Sequence, residues 1–330
     1  MSGTRATERG VILIALLWIL TALAVIALSF SRESFVEVAA ARNLRDGAIG
    51  YYAARAGFGA TSLQLVQRKM FPRVQQLELQ GTVDPIDLGL VRGMVGEGEY
   101  EVEIQDESGK INLNLVSEEQ LHSLMDALGI ARPDSDIIVD SILDWKDVDS
   151  LRHANGAEDD YYQSLNPPYK AKNGRFDTVE ELLLVRGVTR DYFYGRVERA
   201  PDGSFVRRAG LLNCLTVYTN INRININFAP LEVLMSVPGM PPQAAQAIYE
   251  RRKTKPFANS EEIIRSLAVN IGPNTLVFLG TDVTGAYTLT AKGRRKNSKA
   301  LRAIRTVIFV DPREPIGFRI IYWNENVPWL

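Results

Sequence analysis

The chain has 330 residues, 46% of them hydrophobic and 23% charged, so it is long and apolar enough to bury a core and is not a disordered tail. Its 38 Lys and Arg against 39 Asp and Glu leave a formal charge of −1, which removes the basic excess of a general nucleic-acid binder. A single cysteine, Cys214, excludes an internal disulfide and a Cys-based zinc knuckle, and the absence of any HExxH or GxSxG pattern points away from an enzyme.

Residues 1–10 are polar, carry Arg5 and Arg9, and run straight into an uncharged apolar stretch from Val11 to Phe30. As a helix that stretch spans about 30 Å, the thickness of a bilayer core. A cleavable secretory signal needs a shorter apolar core and a small-residue site behind it, whereas here the sequence continues as SRESFVEVAAARNLRD. No proline occurs before Pro72, and Phe35, Val38, Leu44, Ala48, Tyr52, Ala56, Leu63 and Val66 keep the three-or-four spacing of one helix face. The pattern predicts a single helix over 11–70. Gly47, Gly50, Gly57 and Gly59 weaken it intrinsically but would let another backbone approach closely.

Residues 71–98 mix Gly, Pro and charge without a period and read as a connector. Alternation at Tyr100, Val102 and Ile104, the turn-forming DESGK, and alternation at Ile111, Leu113 and Leu115 predict a β-hairpin over 99–116. Helices are predicted at Ser117 to Gly129, with Gln120 completing a capping-box pattern, and over 135–145, 179–185, 230–235, 242–251 and 260–267. The stretch 211–228 reads as extended. Tyr287 to Ala291, Leu301 to Val310 and Phe318 to Trp323 are rich in β-branched and aromatic residues and predict a strand meander over 281–330. A small β domain is thus split by a helical insert over 117–280.

The insert echoes itself: INLN at 111–114 returns as ININ at 224–227, and FDTVEELL at 176–183 as FANSEEII at 257–264. Two readings fit, a duplicated helical unit or two similar helix starts in which Ser or Thr precedes acids.

Between Asp140 and Asp160 seven acids face only Lys146 and Arg152. Crowded carboxylates repel unless they are solvated or neutralised, and calcium takes six to eight oxygen ligands, so Asp144, Asp147, Asp149, Glu158, Asp159 and Asp160 are candidate calcium ligands. With Asp147 in first place the spacing mimics an EF-hand loop, but Leu151 and Arg152 stand where an oxygen ligand and a glycine are required. Helix-capping acids facing water are the alternative.

LMSVPGMPPQAAQAIYERR over 234–252 resembles a helix-hairpin-helix, yet Pro241 and Pro242 remove the amides that would meet a phosphate and the local charge is nearly balanced. The basic run Arg294, Arg295, Lys296, Lys299, Arg302 and Arg305 reads as a solvated strand edge.

A leader ending in Arg9-Gly10, an apolar helix from Val11 and an amphipathic continuation resemble the signal of type IV pilins and pseudopilins. In sequence order, the segments 41–57, 108–121, 142–150, 155–176, 179–189 and 224–234 resemble the minor pseudopilin K family of the type II secretion pathway. Most pseudopilins carry a glutamate where this chain has Ala15, and the K family typically lacks it.

The resemblance implies an α+β fold: a transmembrane and amphipathic helix, then a pilin-like domain interrupted by an all-α insert of SAM or helix-hairpin-helix type. It implies cleavage between Gly10 and Val11 by prepilin peptidase with methylation of the new amine, and a single-pass protein of the bacterial inner membrane facing the periplasm. It also implies calcium in the acidic segment, and a structural place at the pseudopilus tip with minor pseudopilins I and J, pseudopilins H and G below, and no nucleic acid. A type IV pilus minor pilin, or a membrane-anchored DNA-uptake protein using the hairpin near 238–251, are the alternatives.

Overall fold

The computed structural model describes residues 4–70, 89–199, 203–266 and 271–327. Helix α1, Thr4–Met70, is unbroken through 67 residues, as the lack of proline and the continuous helical period require. Every side chain described from Leu13 to Val38 is exposed.

Strands β1 (Leu90–Val95), β2 (Gly98–Asp106), β9 (Ala286–Arg295), β10 (Leu301–Val310) and β11 (Phe318–Asn324) form a five-stranded sheet in the order β1-β2-β9-β10-β11. The strands predicted near the C-terminus are present, and β10 and β11 pair antiparallel with Val310 opposite Phe318. Between β2 and β9 lie β3 (Ile111–Asn112), α2 (Glu118–Ala127), α3 (Asp134–Lys146), α4 (Asp159–Gln163), a 3-10 turn at Val179–Leu184 and α5 (Arg190–Tyr194). They are followed by the hairpin β4 (Arg196–Arg199) and β5 (Phe205–Arg208), then α6 (Leu211–Cys214), β6 (Leu215–Thr216) and β7 (Ile224–Asn225). Helices α7 (Leu231–Met235), α8 (Pro242–Thr254), α9 (Glu261–Ser266) and α10 (Pro273–Leu276), and strand β8 (Leu279–Gly280), complete the insert.

Three expectations change. Most of the connector over 71–98 lies outside the described residues, but its described end holds β1 and the start of β2. The hairpin expected over 99–116 does not form: β2 lies between β1 and β9, while β3 pairs in parallel with β6, Ile111 opposite Leu215. The basic run is not at an edge, although Arg294, Lys296, Lys299 and Arg302 are exposed as expected. It lies on and between the interior strands β9 and β10, where Arg294 meets Glu99 at 2.5 Å and Arg295 meets Asp46 and Glu97. Arg305 is buried and donates to Glu180 at 2.7 Å.

The chain divides into two compact units. One comprises residues 1–57, 92–101 and 291–303; the other comprises 58–91, 102–290 and 304–330. In the first, α1 meets β9 backbone to backbone: a Cβ on Gly50 would lie 2.8 Å from the Gly293 carbonyl oxygen, and one on Gly293 would overlap the Gly50 carbonyl. This is the close approach that the helix glycines permit. In the second, Phe58 meets Trp323 edge-on at 5.1 Å, and the helical insert buries its own core of Leu121, Leu124, Ile138, Ile142, Leu234 and Ile248. A buried ion pair, Lys110 donating to Glu107 at 2.5 Å, also engages Thr288 of β9 at 2.6 Å and so links the insert to the sheet strand.

The insert is built twice from the same contacts. Asn114 forms a two-way clamp with Phe176, its Nδ2 donating to the carbonyl at 2.9 Å and its Oδ1 accepting from the amide at 2.8 Å. Asn227 clamps Phe257 in the same way at 2.9 and 2.8 Å. Asn112 and Asn225 accept from the amide two residues on, and β3 with β6 and β7 with β8 are both short parallel pairs. Lys146 caps the Val116 carbonyl as Arg252 caps that of Ala229. Trp145 stacks on Phe176 as Arg251 lies over Phe257 at 4.4 Å. Two similar helix starts would not reproduce long-range clamps of this kind, so duplication is the reading the structure favours.

Candidate metal centre

Along α3, Asp140, Asp144 and Asp147 recur at helical spacing on one side of the C-terminal end, where the helix carbonyls already repel negative charge. The chain then folds back over this side. Asn155 donates its amide and its Nδ2 to Oδ2 of Asp140, at 2.8 and 3.0 Å, and the His153 amide donates to Oδ1 of Asp144 at 3.0 Å. The returning backbone comes so close that a Cβ on Gly156 would overlap Oδ2 of Asp144. Arg186 holds it there, donating to the Gly156 carbonyl at 2.9 Å.

The consequence is a group of carboxylates with buried oxygens that no donor reaches. Asp144 is fully buried and Glu158 is 5% exposed. Oδ2 of Asp144, Oδ1 of Asp147 and both oxygens of Glu158 are buried without a hydrogen-bond partner. Burial, then the charges of Asp144, Asp147, Asp159 and Asp149, push the Glu158 carboxyl up to about 7. Burial and the neighbouring Asp149 and Asp144 raise Asp147 as well. His153 contacts Oδ1 of Asp144 through Nδ1, and that hydrogen bond raises its pKa. One ligand atom each from Asp144, Asp147 and His153 lie within 4.8 Å of one another.

Orphaned carboxylate oxygens in a buried pocket fit a hard divalent cation. Nδ1 of His153 is already engaged with Asp144, and the unsatisfied atoms of Asp144, Asp147 and Glu158 are all oxygens, which fits calcium better than zinc.

Of the six predicted ligands, Asp144 and Asp147 fall with His153 in one group of ligand atoms, and Glu158, whose carboxyl feels the charge of both acids, also has orphaned oxygens. Asp149 is exposed and accepts from the Leu151 amide at 2.8 Å. Asp159 accepts from the Ala171 amide at 2.9 Å, and Asp160 faces Arg152 at 3.9 Å on the surface. Sequence reasoning missed His153, Asn155, Gly156 and Arg186 as parts of the site. The N-G pair inside an acidic run was the available signal for a tight return.

Elsewhere, the predicted processing pair Gly10 and Val11 lies within the unbroken backbone of α1. The bases of the helix-hairpin-helix segment are committed internally: Arg252 is buried on the Ile226 and Ala229 carbonyls, Arg251 pairs with Glu262 at 2.6 Å, and Lys253 with Glu250 at 2.8 Å. That engagement, with Pro241 and Pro242 at the helix start, leaves no phosphate cradle there.

Two family models described as type II secretion system protein K match the chain, the first over residues 104–195 and the second over 224–274. Protein K of Pseudomonas aeruginosa is 29% identical over 180 residues, 52% of this chain and 49% of that one. Protein K of Aeromonas hydrophila is 30% identical over 206 residues, 55% of this chain and 60% of that one. The matched region thus spans about half the length of these curated relatives. A chain of the crystal structure of the GspK-GspI-GspJ complex from the type 2 secretion system of enterotoxigenic Escherichia coli shares the fold, with a TM-score of 0.59 at 17% identity over 84% of this chain and 97% of that one.

Proposed function

We propose that this chain, which carries two domains of the type II secretion system protein K family, works as a minor pseudopilin of that system, a structural subunit without catalytic activity. The observation that carries the reading is the joining of those domains to a helix whose side chains from Leu13 to Val38 all face outward. An apolar helix with nothing packed on it is suited to lipid before assembly and to neighbouring subunit helices after it. The anchor lies in the inner membrane with the remaining domain in the periplasm, and prepilin peptidase cuts between Gly10 and Val11 and methylates the new amine. The partners are pseudopilins I and J at the tip, with H and G below. Ala15 supports the tip position. A subunit without the family's glutamate cannot neutralise the terminal amine of a subunit above it, so it suits a place with no such subunit. Co-expression of the full chain with I and J and native mass measurement in detergent tests this. A stable three-subunit complex is expected, and recovery of the chain alone would overturn the reading.

The acidic site is a structural calcium site in the same proposal. Asp144, Asp147 and Glu158 would hold the ion, and Asp149, Asp159 and Asp160 add negative charge around it. The ion supplies counter-charge to carboxylates that the fold has taken out of water.

A further inference from the structure

The paired contacts of the two copies fix their register. Lys146 and Arg252 cap equivalent carbonyls, and Trp145 and Arg251 lie on equivalent phenylalanines. Asp144 therefore corresponds to Glu250, and Asp147 to Lys253. In the second copy, Nζ of Lys253 donates to both oxygens of Glu250, at 2.9 and 2.8 Å. In the first copy the same two places, one helical turn apart, hold two acids with orphaned buried oxygens.

From this equivalence we infer that Lys253 does in the second copy what a bound cation does in the first, so that an acid at Asp147, in the place of that lysine, leaves the first copy dependent on a metal ion. The inference rests on the calcium reading of the acidic site. The two copies differ past the C-terminal end of the helix. In the second, only Lys255 and Pro256 separate α8 from Phe257, and the Glu250 and Lys253 side chains are 53% and 52% exposed. In the first, residues 147–175 fold over Asp144 and bury it. The buried oxygens of Asp144 and Asp147 have no donor, so the missing ammonium is replaced by an ion from solution. Replacing Asp147 with Lys raises the local charge by about two units near neutral pH, the charge that one calcium ion brings. It also recreates the acid-then-lysine spacing of Glu250 and Lys253. The ion's role is then to bring counter-charge to the acids that hold it.

Thermal melting of the full chain in detergent, with calcium or with chelator, tests this in the wild type, Asp147→Lys and Asp147→Asn. The wild type should lose Tm on chelation. Asp147→Lys should melt at one temperature in both conditions, above the chelated wild type, and Asp147→Asn should keep a reduced calcium shift. If Asp147→Lys melts at or below the chelated wild type, or fails to fold while Asp147→Asn folds, the inference is overturned and the calcium reading stands. A wild type whose Tm ignores calcium overturns both.

Discussion

Gly156 lies against Asp144 with no space for a side chain, because a Cβ there would overlap the carboxylate oxygen that has no hydrogen-bond donor. A position that accepts only hydrogen leaves that carboxylate oxygen buried and without a donor. Gly156→Ala must therefore either displace the returning loop or rotate Asp144 onto a neighbour. Overpacking of this kind costs about 1–3 kcal/mol. The variant should unfold earlier in denaturant and lose most of its calcium-dependent stabilisation. Wild-type calcium affinity in Gly156→Ala would show that the close approach does not shape the site.

Glu158→Gln should change sign with calcium. Without the ion, ionised Glu158 is a buried charge among like charges, and the amide removes that penalty, so the variant should be the more stable protein in chelator. With calcium it forfeits a ligand and should be the less stable one. A full site contributes about 2.7 kcal/mol at a hundredfold excess of ligand over the dissociation constant. Urea unfolding in the two conditions checks the crossing; a variant that is less stable in both would mean that Glu158 supports the fold by another contact.

The pH dependence of the chelated protein is set by the same charges. Glu158 has a folded-state value raised to about 7 by burial and the neighbouring acids, so its cost is absent when it is protonated and is complete once pH has risen through that value. His153 is raised by its bond to Asp144, so its contribution is present below its unfolded value and lost as pH rises through the raised one. Both act in one direction. Stability in chelator should fall from about pH 5 to pH 8, and calcium should flatten the curve. A rise with pH over that window would contradict the assignment of buried, cation-seeking acids.

At the other end of the chain, Gly10→Val should block maturation while leaving membrane insertion intact, since the bulk falls at the cleavage position and not in the apolar core. Terminal sequencing of the mature wild-type protein should begin at a methylated Val11. A start beyond Phe30 would identify an ordinary secretory signal.

What the sequence disclosed depended on how local the determining contacts were. Helix α1 was legible because a missing proline and an unbroken period act within a few residues. The C-terminal strands were legible through their β-branched and aromatic residues. Strand β3 was not, because its partner Leu215 lies far along the chain and a two-residue parallel pair leaves no pattern of its own. The hairpin of β4 and β5 had a signal that went unread, the Asp-Gly pair at 202–203 in the sequence between the two strands. The arginines of the basic run looked unpaired because Glu97, Glu99 and Asp46 reach them only in the folded chain. At the site, the acids were visible by composition. The oxygens without donors became visible only once Asn155 and the His153 amide had taken the others.

The central claim is a place at the tip of the pseudopilus, and labelling the soluble domain in assembled pseudopili tests it most directly. The missing glutamate at Ala15 predicts a single label at one end of each filament. Label distributed along the shaft would contradict the account.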